Sequence, residues 1–189
     1  MRILVVPGSL REGSFNAAIA RAATGLAPDG VAVEVYDGLR MLPPYDADAD
    51  GEDVAASVQD LRRRIAAADG VLFVTPEYNG STPGVLKNAI DWASRPHRES
   101  ALWGKTVAVA GATTGSYGAV WALADLRRVL GIAGARVIDD EVSVSQAHTR
   151  VDDDGELADP TTAEHMRQLL AGLVEVATPV SITAERSAA

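Results

Sequence analysis

The sequence predicts an α/β fold, a parallel sheet with helices on both of its faces. Three observations point to it. Ile3–Val6 and Val71–Val74 are short, unbroken apolar runs, as expected of central strands buried on both sides. The segments between such runs repeat their apolar residues at helical spacing. The two patterns alternate five times along the chain, and crossovers of this kind make the strands parallel.

The elements follow in order. Ile3–Val6 is the first strand, and Ser14–Leu26 reads as a helix with Ser14 as its N-cap. Val31–Tyr36 alternates like a strand with one more polar face. Pro43–Asp53 is a polar loop. Val54, Val58, Leu61, Ile65 and Ala68 step at helical spacing, and Val71–Val74 is the next buried strand. Val85–Ala93 is helical, Thr106–Ala110 a strand and Gly118–Leu130 a helix. Arg136–Val144 is extended, with a bend expected at Asp139-Asp140. Thr161–Ala177 is the last helix, with Met166, Leu169, Leu170, Leu173 and Ala177 on one face. Residues 1–177 form one domain, and Thr178–Ala189 reads as a frayed tail. Two five-stranded arrangements suit this pattern, a flavodoxin-like sheet of order 2-1-3-4-5 and a half-Rossmann domain. Both bind ligands beyond the carboxyl ends of their strands, where the strand order reverses.

The first strand runs directly into a small-residue turn and a helix, through Gly8-Ser9-Leu10-Arg11-Glu12-Gly13-Ser14-Phe15-Asn16. The first amides of a helix lack internal partners and carry partial positive charge. Ser9, Ser14 and Asn16 add side-chain donors and Arg11 a cation, which makes a phosphate cradle. The chain lacks both G-x-x-x-x-G-K-[ST] and G-x-G-x-x-G, so a triphosphate or a Rossmann pyrophosphate site is not expected. A single phosphate monoester fits better, and FMN is the commonest such ligand on an open α/β sheet.

Two further loops belong to the same sheet end: Thr75–Gly84 after the third strand and Gly111–Gly118 after the fourth. Both are rich in Gly, Ser, Thr and Asn, and each carries a Tyr. Glycine allows close backbone approach to a ligand, and Tyr offers a flat apolar face with a polar tip. A flavin asks for donors at its phosphate, backbone groups at its pyrimidine edge and an apolar wall at its ring. It needs no nucleophile or base from the protein, because the cofactor carries the chemistry.

Composition narrows the remaining classes. The chain has 189 residues, 17 Lys and Arg against 26 Asp and Glu, and a net charge of −9. An acidic surface argues against nucleic acid and anionic membranes as partners. Absence of cysteine excludes disulfides, zinc thiolates and Cys nucleophiles. Ile3–Val6 is too short for a signal-peptide core, and no stretch has transmembrane length, so a cytoplasmic location is expected.

The motif Gly8–Asn16, the run Pro76-Glu77-Tyr78-Asn79-Gly80-Ser81-Thr82-Pro83-Gly84-Val85-Leu86-Lys87-Asn88-Ala89-Ile90-Asp91-Trp92, and Gly111-Ala112 with Gly115 to Gly118 resemble the NAD(P)H-dependent FMN reductases of flavodoxin-like fold. That group includes quinone, chromate and azo-dye reductases. The resemblance spans about residues 2–145, and its second motif is the most specific. It implies the strand order 2-1-3-4-5 in a three-layer sandwich. It implies that Ser9, Arg11, Ser14, Phe15 and Asn16 hold the FMN phosphate through side chains and backbone. Pro76, Glu77, Tyr78, Asn79 and Gly80 would line the ring and ribityl chain, and Thr113, Thr114 and Gly115 would border the ring edge. NAD(P)H would be co-substrate, with electrons passing to a small-molecule acceptor, and the family's usual state is a homodimer or homotetramer. The residues themselves suggest oligomers too. The helix after Pro83 has one apolar face at Val85, Ala89 and Trp92 and a second at Leu86, Ile90 and Ala93, and Trp121 sits off the stripe of its own helix.

Other features carry less. Asp46-Ala47-Asp48-Ala49-Asp50-Gly51 begins like a calcium loop, but Ser57 stands where that loop needs its Glu. His97, His148 and His165 are too scattered for a metal site, and His148 could at most edge the ligand site. Arg95-Pro96-His97-Arg98 is either a solvated loop, the favoured reading, or a receiver for the NADPH phosphate. Glu77 is expected to act through its backbone, and Lys87 with Asp91 forms an i, i+4 pair. A flavodoxin-like electron carrier without NAD(P)H activity is the competing reading. A phosphate-ester hydrolase ranks last for want of a nucleophile or metal cluster.

Overall fold

A computed structural model describes residues 1–178. The strands are β1 (Arg2–Pro7), β2 (Ala32–Val35), β3 (Gly70–Thr75), β4 (Thr106–Ala112) and β5 (Arg136–Val144). The helices are α1 (Phe15–Leu26), α2 (Ala56–Ala67), α3 (Gly84–Ala93), α4 (Val120–Ile132) and α5 (Pro160–Ala177). All strand pairs are parallel and the order is β2-β1-β3-β4-β5, so the flavodoxin-like arrangement holds and the half-Rossmann one does not. The order reverses between β1 and β3.

Side chains alternate across a strand, and the core divides accordingly. Leu4, Val6, Val71, Phe73, Val107 and Val109 face one way, against α2, α3 and α4. Ile3, Val5, Leu72, Val74, Ala108 and Ala110 face the other, against α1 and α5. Both faces being covered is why β1, β3 and β4 read as unbroken apolar runs. Residues 179–189, and with them the expected tail, lie outside the described residues.

Four local features depart from the sequence expectations or sharpen them. Strand β4 extends through Gly111 and Ala112, which read as loop. It can do so because Gly111 lacks a Cβ, which would lie 2.9 Å from the Thr75 carbonyl oxygen. The expected bend in β5 is a shift of register: Val107 pairs with Val137, but Val109 pairs with Glu141. Helix α3 does not leave an apolar face open. Leu86, Ala89, Ile90, Trp92 and Ala93 are all buried within the chain. Trp92 packs edge-on against Tyr45 and donates its indole N–H to the Pro43 carbonyl at 2.8 Å. The Pro43–Asp53 loop therefore covers the face that suggested a partner. In that loop Asp46 accepts from the Asp48 amide, and Asp50 pairs with Arg62 at 2.8 Å, so two of its carboxylates have structural work.

Among the described residues the Tyr36 hydroxyl is one of three buried side-chain groups without a hydrogen-bond partner, with Ser100 Oγ and Arg127 Nη1. Tyr36 is 1% exposed and its hydroxyl has no hydrogen bond. Burial, then the nearby Asp60 carboxylate, pushes its pKa up to about 12. An unpaired buried polar group costs roughly 1–3 kcal/mol. Tyr36→Phe keeps the ring, over which the Arg64 guanidinium lies, and removes the cost. The substitution is expected to stabilise the protein by about 1 kcal/mol. Urea unfolding checks this, and a lower midpoint would show that the hydroxyl is paired in solution.

Candidate functional site

The three loops that sequence reasoning singled out all emerge beyond the carboxyl ends of β1, β3 and β4, and the structure ties them together. In the first, Ser14 is the N-cap of α1, and its Oγ accepts from the Ala17 amide at 3.4 Å. The Phe15 and Asn16 amides ahead of it donate to no protein acceptor among the described residues. The first turn of α1 holds no acidic residue. Arg11 is exposed, with its guanidinium 5.7 Å from the Phe15 ring centroid, and Ser9 Oγ accepts from the Arg11 amide at 3.4 Å. Two unpaired helix amides, two hydroxyls and a cation at one helix end are the donor set a phosphate monoester requires.

Asn16 has a different part from the one expected of its side chain. Its amide is buried and bonds reciprocally to Ala112, Nδ2 donating to the carbonyl and Oδ1 accepting from the N–H, each at 2.9 Å. One Nδ2 hydrogen is thereby committed to the fold, and the backbone N–H of Asn16 remains without a protein partner among the described residues. The side chain instead fixes the start of α1 against the end of β4, where the third loop begins.

The second loop is built on a tight turn. Tyr78 and Ser81 exchange backbone hydrogen bonds at 3.1 and 3.2 Å, and Asn79 (φ 54°) and Gly80 (φ 73°) between them are both left-handed. This is the primed turn that an Asn-Gly pair favours. Pro76 is buried at its base, while Tyr78, Asn79 and Gly80 are exposed. In the third loop Thr113 donates its N–H to Val144 and accepts from Ala147, and the Gly115 carbonyl accepts from Gln146. Those bonds anchor the loop on the β5 side. Thr114 and Gly115 stay exposed, and their amides have no protein partner among the described residues. His148 is exposed in the turn behind this loop. Exposed backbone donors here and at the phosphate end, with the exposed Tyr78 ring on the second loop, fit the needs of an FMN ring edge, ring face and phosphate.

Two carboxylates lock the second loop to α4. Ala119 precedes α4 and has no side chain to cap it. Glu77 does so from the second loop, its Oε2 accepting from the Trp121 and Ala122 amides at 3.1 Å each. Placing a carboxylate at a helix N-terminus satisfies orphan donors and complements the dipole. Glu77 is thus engaged through its carboxylate, where sequence reasoning gave it only a backbone part. Asp125, which sequence reasoning missed, accepts from Ser81 Oγ at 2.6 Å and from Arg128 at 2.6 Å. The Ser81 hydroxyl first, and Arg128 after it, hold its pKa below the usual carboxylate value. A visible signal existed in Asn79-Gly80, a turn dipeptide. None existed for Glu77 or Asp125, whose partners Trp121 and Ser81 lie 44 residues away in sequence.

The Arg95–Arg98 patch follows the C-terminus of α3, at the far end of that helix from the second loop. Arg95 contacts the Tyr45 hydroxyl, and His97 and Arg98 pack on Trp103. Lys87 and Asp91 pair at 2.7 Å as expected. Among the described residues no group of three or more His, Cys, Asp or Glu side chains is placed to hold a metal ion. No described helix is long and apolar enough to cross a membrane.

Comparison with known proteins agrees with this geometry. The family model described as NADPH-dependent FMN reductase matches residues 1–149. The chain is 40% identical over 174 residues to an NAD(P)H-dependent FMN reductase of Pseudomonas aeruginosa, covering 92% of this chain and 93% of the relative. It is 37% identical over 185 residues to a quinone reductase of Escherichia coli, covering 96% and 98%. Among solved structures it resembles a flavoenzyme NAD(P)H:(acceptor) oxidoreductase of Paracoccus denitrificans, with a TM-score of 0.83, 34% identity, and coverage of 93% and 96%.

Two outcomes are expected of the locking carboxylates. Glu77→Ala leaves the α4 N-terminus uncapped and is expected to cost about 1 kcal/mol of stability in urea unfolding. It is also expected to weaken FMN binding in a fluorescence titration, with Glu77→Gln milder in both. Asp125 has a folded pKa below its unfolded value, so the stability it adds is present above about pH 4 and is lost as pH falls through the folded pKa. Asp125→Asn is expected to flatten the acid limb of the stability–pH curve. An unchanged acid limb would remove Asp125 from the lock.

Proposed function

The chain belongs to the family of NADPH-dependent FMN reductases, and from that premise we propose that it is an FMN-dependent NAD(P)H oxidoreductase whose electron acceptor is a quinone. The observation that carries the reading is the unpaired α1 N-terminus, closed against the third loop by Asn16. Bound FMN would supply the redox chemistry, accepting hydride from NAD(P)H at N5 and passing electrons to the acceptor.

The chain's own residues bind and orient. Arg11, the Ser9 and Ser14 hydroxyls and the Phe15 and Asn16 amides would hold the phosphate. Pro76, Tyr78, Asn79 and Gly80 would line the ring, Glu77 fixing their loop, and Thr114 and Gly115 would border the ring edge through their backbone amides, with Thr113 beside them tied to Val144 and Ala147. No side chain in these loops needs to move a proton to the flavin, so a catalytic residue is not assigned.

The reading includes a homodimer or homotetramer in the cytoplasm. With α3 covered on both apolar faces, support for association rests on the groove between α3 and α4. Its floor includes Ile90 and Val129, and Ile132 beside them is 70% exposed. Lys87, Asp91 and Arg128 rim it with charges of both signs, which suits a second copy. Light scattering of the purified protein gives the state, and a monomer would end this part of the reading.

The deciding experiment is the visible spectrum of the purified protein with FMN, before and after anaerobic NADPH or NADH. A bound flavin that bleaches and recovers on adding a quinone is the expected outcome. Bound flavin that neither nucleotide bleaches would mean an electron carrier. Ser14→Ala is expected to weaken FMN binding by about tenfold through loss of one phosphate donor and of the α1 cap.

A further inference from the structure

The chain exposes a pair of large aromatic rings beside the site and holds them there on a strained stretch of backbone. Tyr117 is 68% exposed and Trp121 52% exposed, with ring centroids 5.0 Å apart and planes tilted by 59°. Both belong to the approach from the third loop into α4. Between them Gly118 (φ +63°) and Ala119 (φ +66°) are both left-handed, an uncommon conformation for alanine. Gly118 is favoured by its positive φ and by its neighbours, since a Cβ there would lie 2.3 Å from Ser143 Oγ and 3.1 Å from the Ser145 backbone nitrogen. That same hydroxyl donates to the Gly118 carbonyl at 2.7 Å. On the other side, the Trp121 amide is held by Glu77 of the second loop. The backbone under the two rings is therefore pinned to β5 and to a flavin loop, while the rings stand in solvent.

We propose that Tyr117 and Trp121 form a stacking platform that receives a neutral, planar aromatic acceptor at the mouth of the flavin site and sets acceptor preference. The proposal rests on the oxidoreductase reading above and adds to it the residues that choose the acceptor. Strained backbone persists where the surrounding structure over-determines it, and it concentrates at ligand sites. A fixed aromatic pair offers large contact area with little entropy to lose on binding. Its occupant is flat and apolar because the pair presents ring surface. It is uncharged because the two carboxylates on this side are already engaged, Glu77 by the α4 amides and Asp125, one turn along α4 from Trp121, by Ser81 and Arg128. Continuity with the second and third loops places such an occupant next to a flavin held there.

The test compares the holoenzyme with Tyr117→Ala/Trp121→Ala and with Trp121→Phe, using menadione as the planar acceptor and ferricyanide as one that cannot stack. In the double variant the KM for menadione relative to that for ferricyanide is expected to rise about tenfold, and Trp121→Phe is expected to restore most of it. An independent readout is the saturable quenching of tryptophan fluorescence by menadione in flavin-free protein without NADPH, over the linear collisional quenching of Trp103, which is itself 45% exposed. It is expected for the native chain and for neither flavin-free Trp121→Ala nor the double variant. Equal losses toward both acceptors, or saturable quenching that survives Trp121→Ala, would overturn the platform. So would a variant that changes oligomeric state while keeping menadione quenching, which would assign the pair to a contact between copies. Failure of the native chain to bind FMN would end the flavin reading alone, because the quenching measurement would still decide the platform.

Discussion

The site depends on a single reciprocal hydrogen-bonded pair, the Asn16 side-chain amide with the backbone of Ala112. A parallel sheet leaves each strand with unpaired backbone groups where its neighbour ends. Strand β3 last pairs with β4 at Thr75–Gly111, so Ala112 projects one residue beyond its partner strand. The carboxamide of Asn16 has the donor and acceptor of a peptide group in the same planar spacing, and it takes the place of the missing residue. Leaving both Ala112 groups buried and unpaired would cost roughly 1–3 kcal/mol each. Because Asn16 is the second residue of α1, satisfying Ala112 also fixes where that helix begins. The phosphate end of the site is in this way referenced to the ring end through a strand terminus.

The ring side is fastened by a similar use of local polar groups. Helix α4 begins at a left-handed Ala119 that cannot cap it, and the second loop supplies Glu77. Ser81 and Thr82, just past the Asn79-Gly80 turn, bond back to Asp125 and Ala122 of α4. Both ends of the exposed turn are held, so its tip is presented on a rigid base. A cofactor that supplies its own chemistry asks the protein for fixed geometry above all, and this network provides it before any ligand arrives.

The sheet was legible because its physics is local. Strand β3 needs no alternating pattern to be recognised: Val71, Leu72, Phe73 and Val74 are apolar in succession, and a strand covered on both faces explains that. Ser14 likewise announced the α1 start. The extent of β4 was not legible, because Gly111 and Ala112 look like loop residues unless the close Thr75 backbone is known. Trp92 misled for a related reason. Helical periodicity counts apolar faces but cannot say that a polar-looking loop, through Tyr45 and Pro43, folds over one of them. The side-chain parts of Asn16, Glu77 and Asp125 escaped entirely. Each meets a partner brought near by the fold, and sequence spacing holds no trace of it.

A chain of net charge −9 with a site built for a phosphate works against its own field, and the resolution is one of distance. At physiological ionic strength exposed charges are screened within about 8 Å, so most surface carboxylates contribute little at the α1 N-terminus. What acts there is local: Arg11, offset in part by the exposed Glu12 next to it, with two hydroxyls and two unpaired amides in a first helical turn without Asp or Glu. The carboxylates that do lie in the other loops are neutralised in place, Glu77 by the α4 amides and Asp125 by Ser81 and Arg128. Their engagement leaves neither carboxylate as a free ionic group on the ring side. The site is thereby split into an anion-accepting end and a neutral, aromatic-lined mouth, a division that suits a phosphorylated cofactor at one end and an uncharged acceptor at the other.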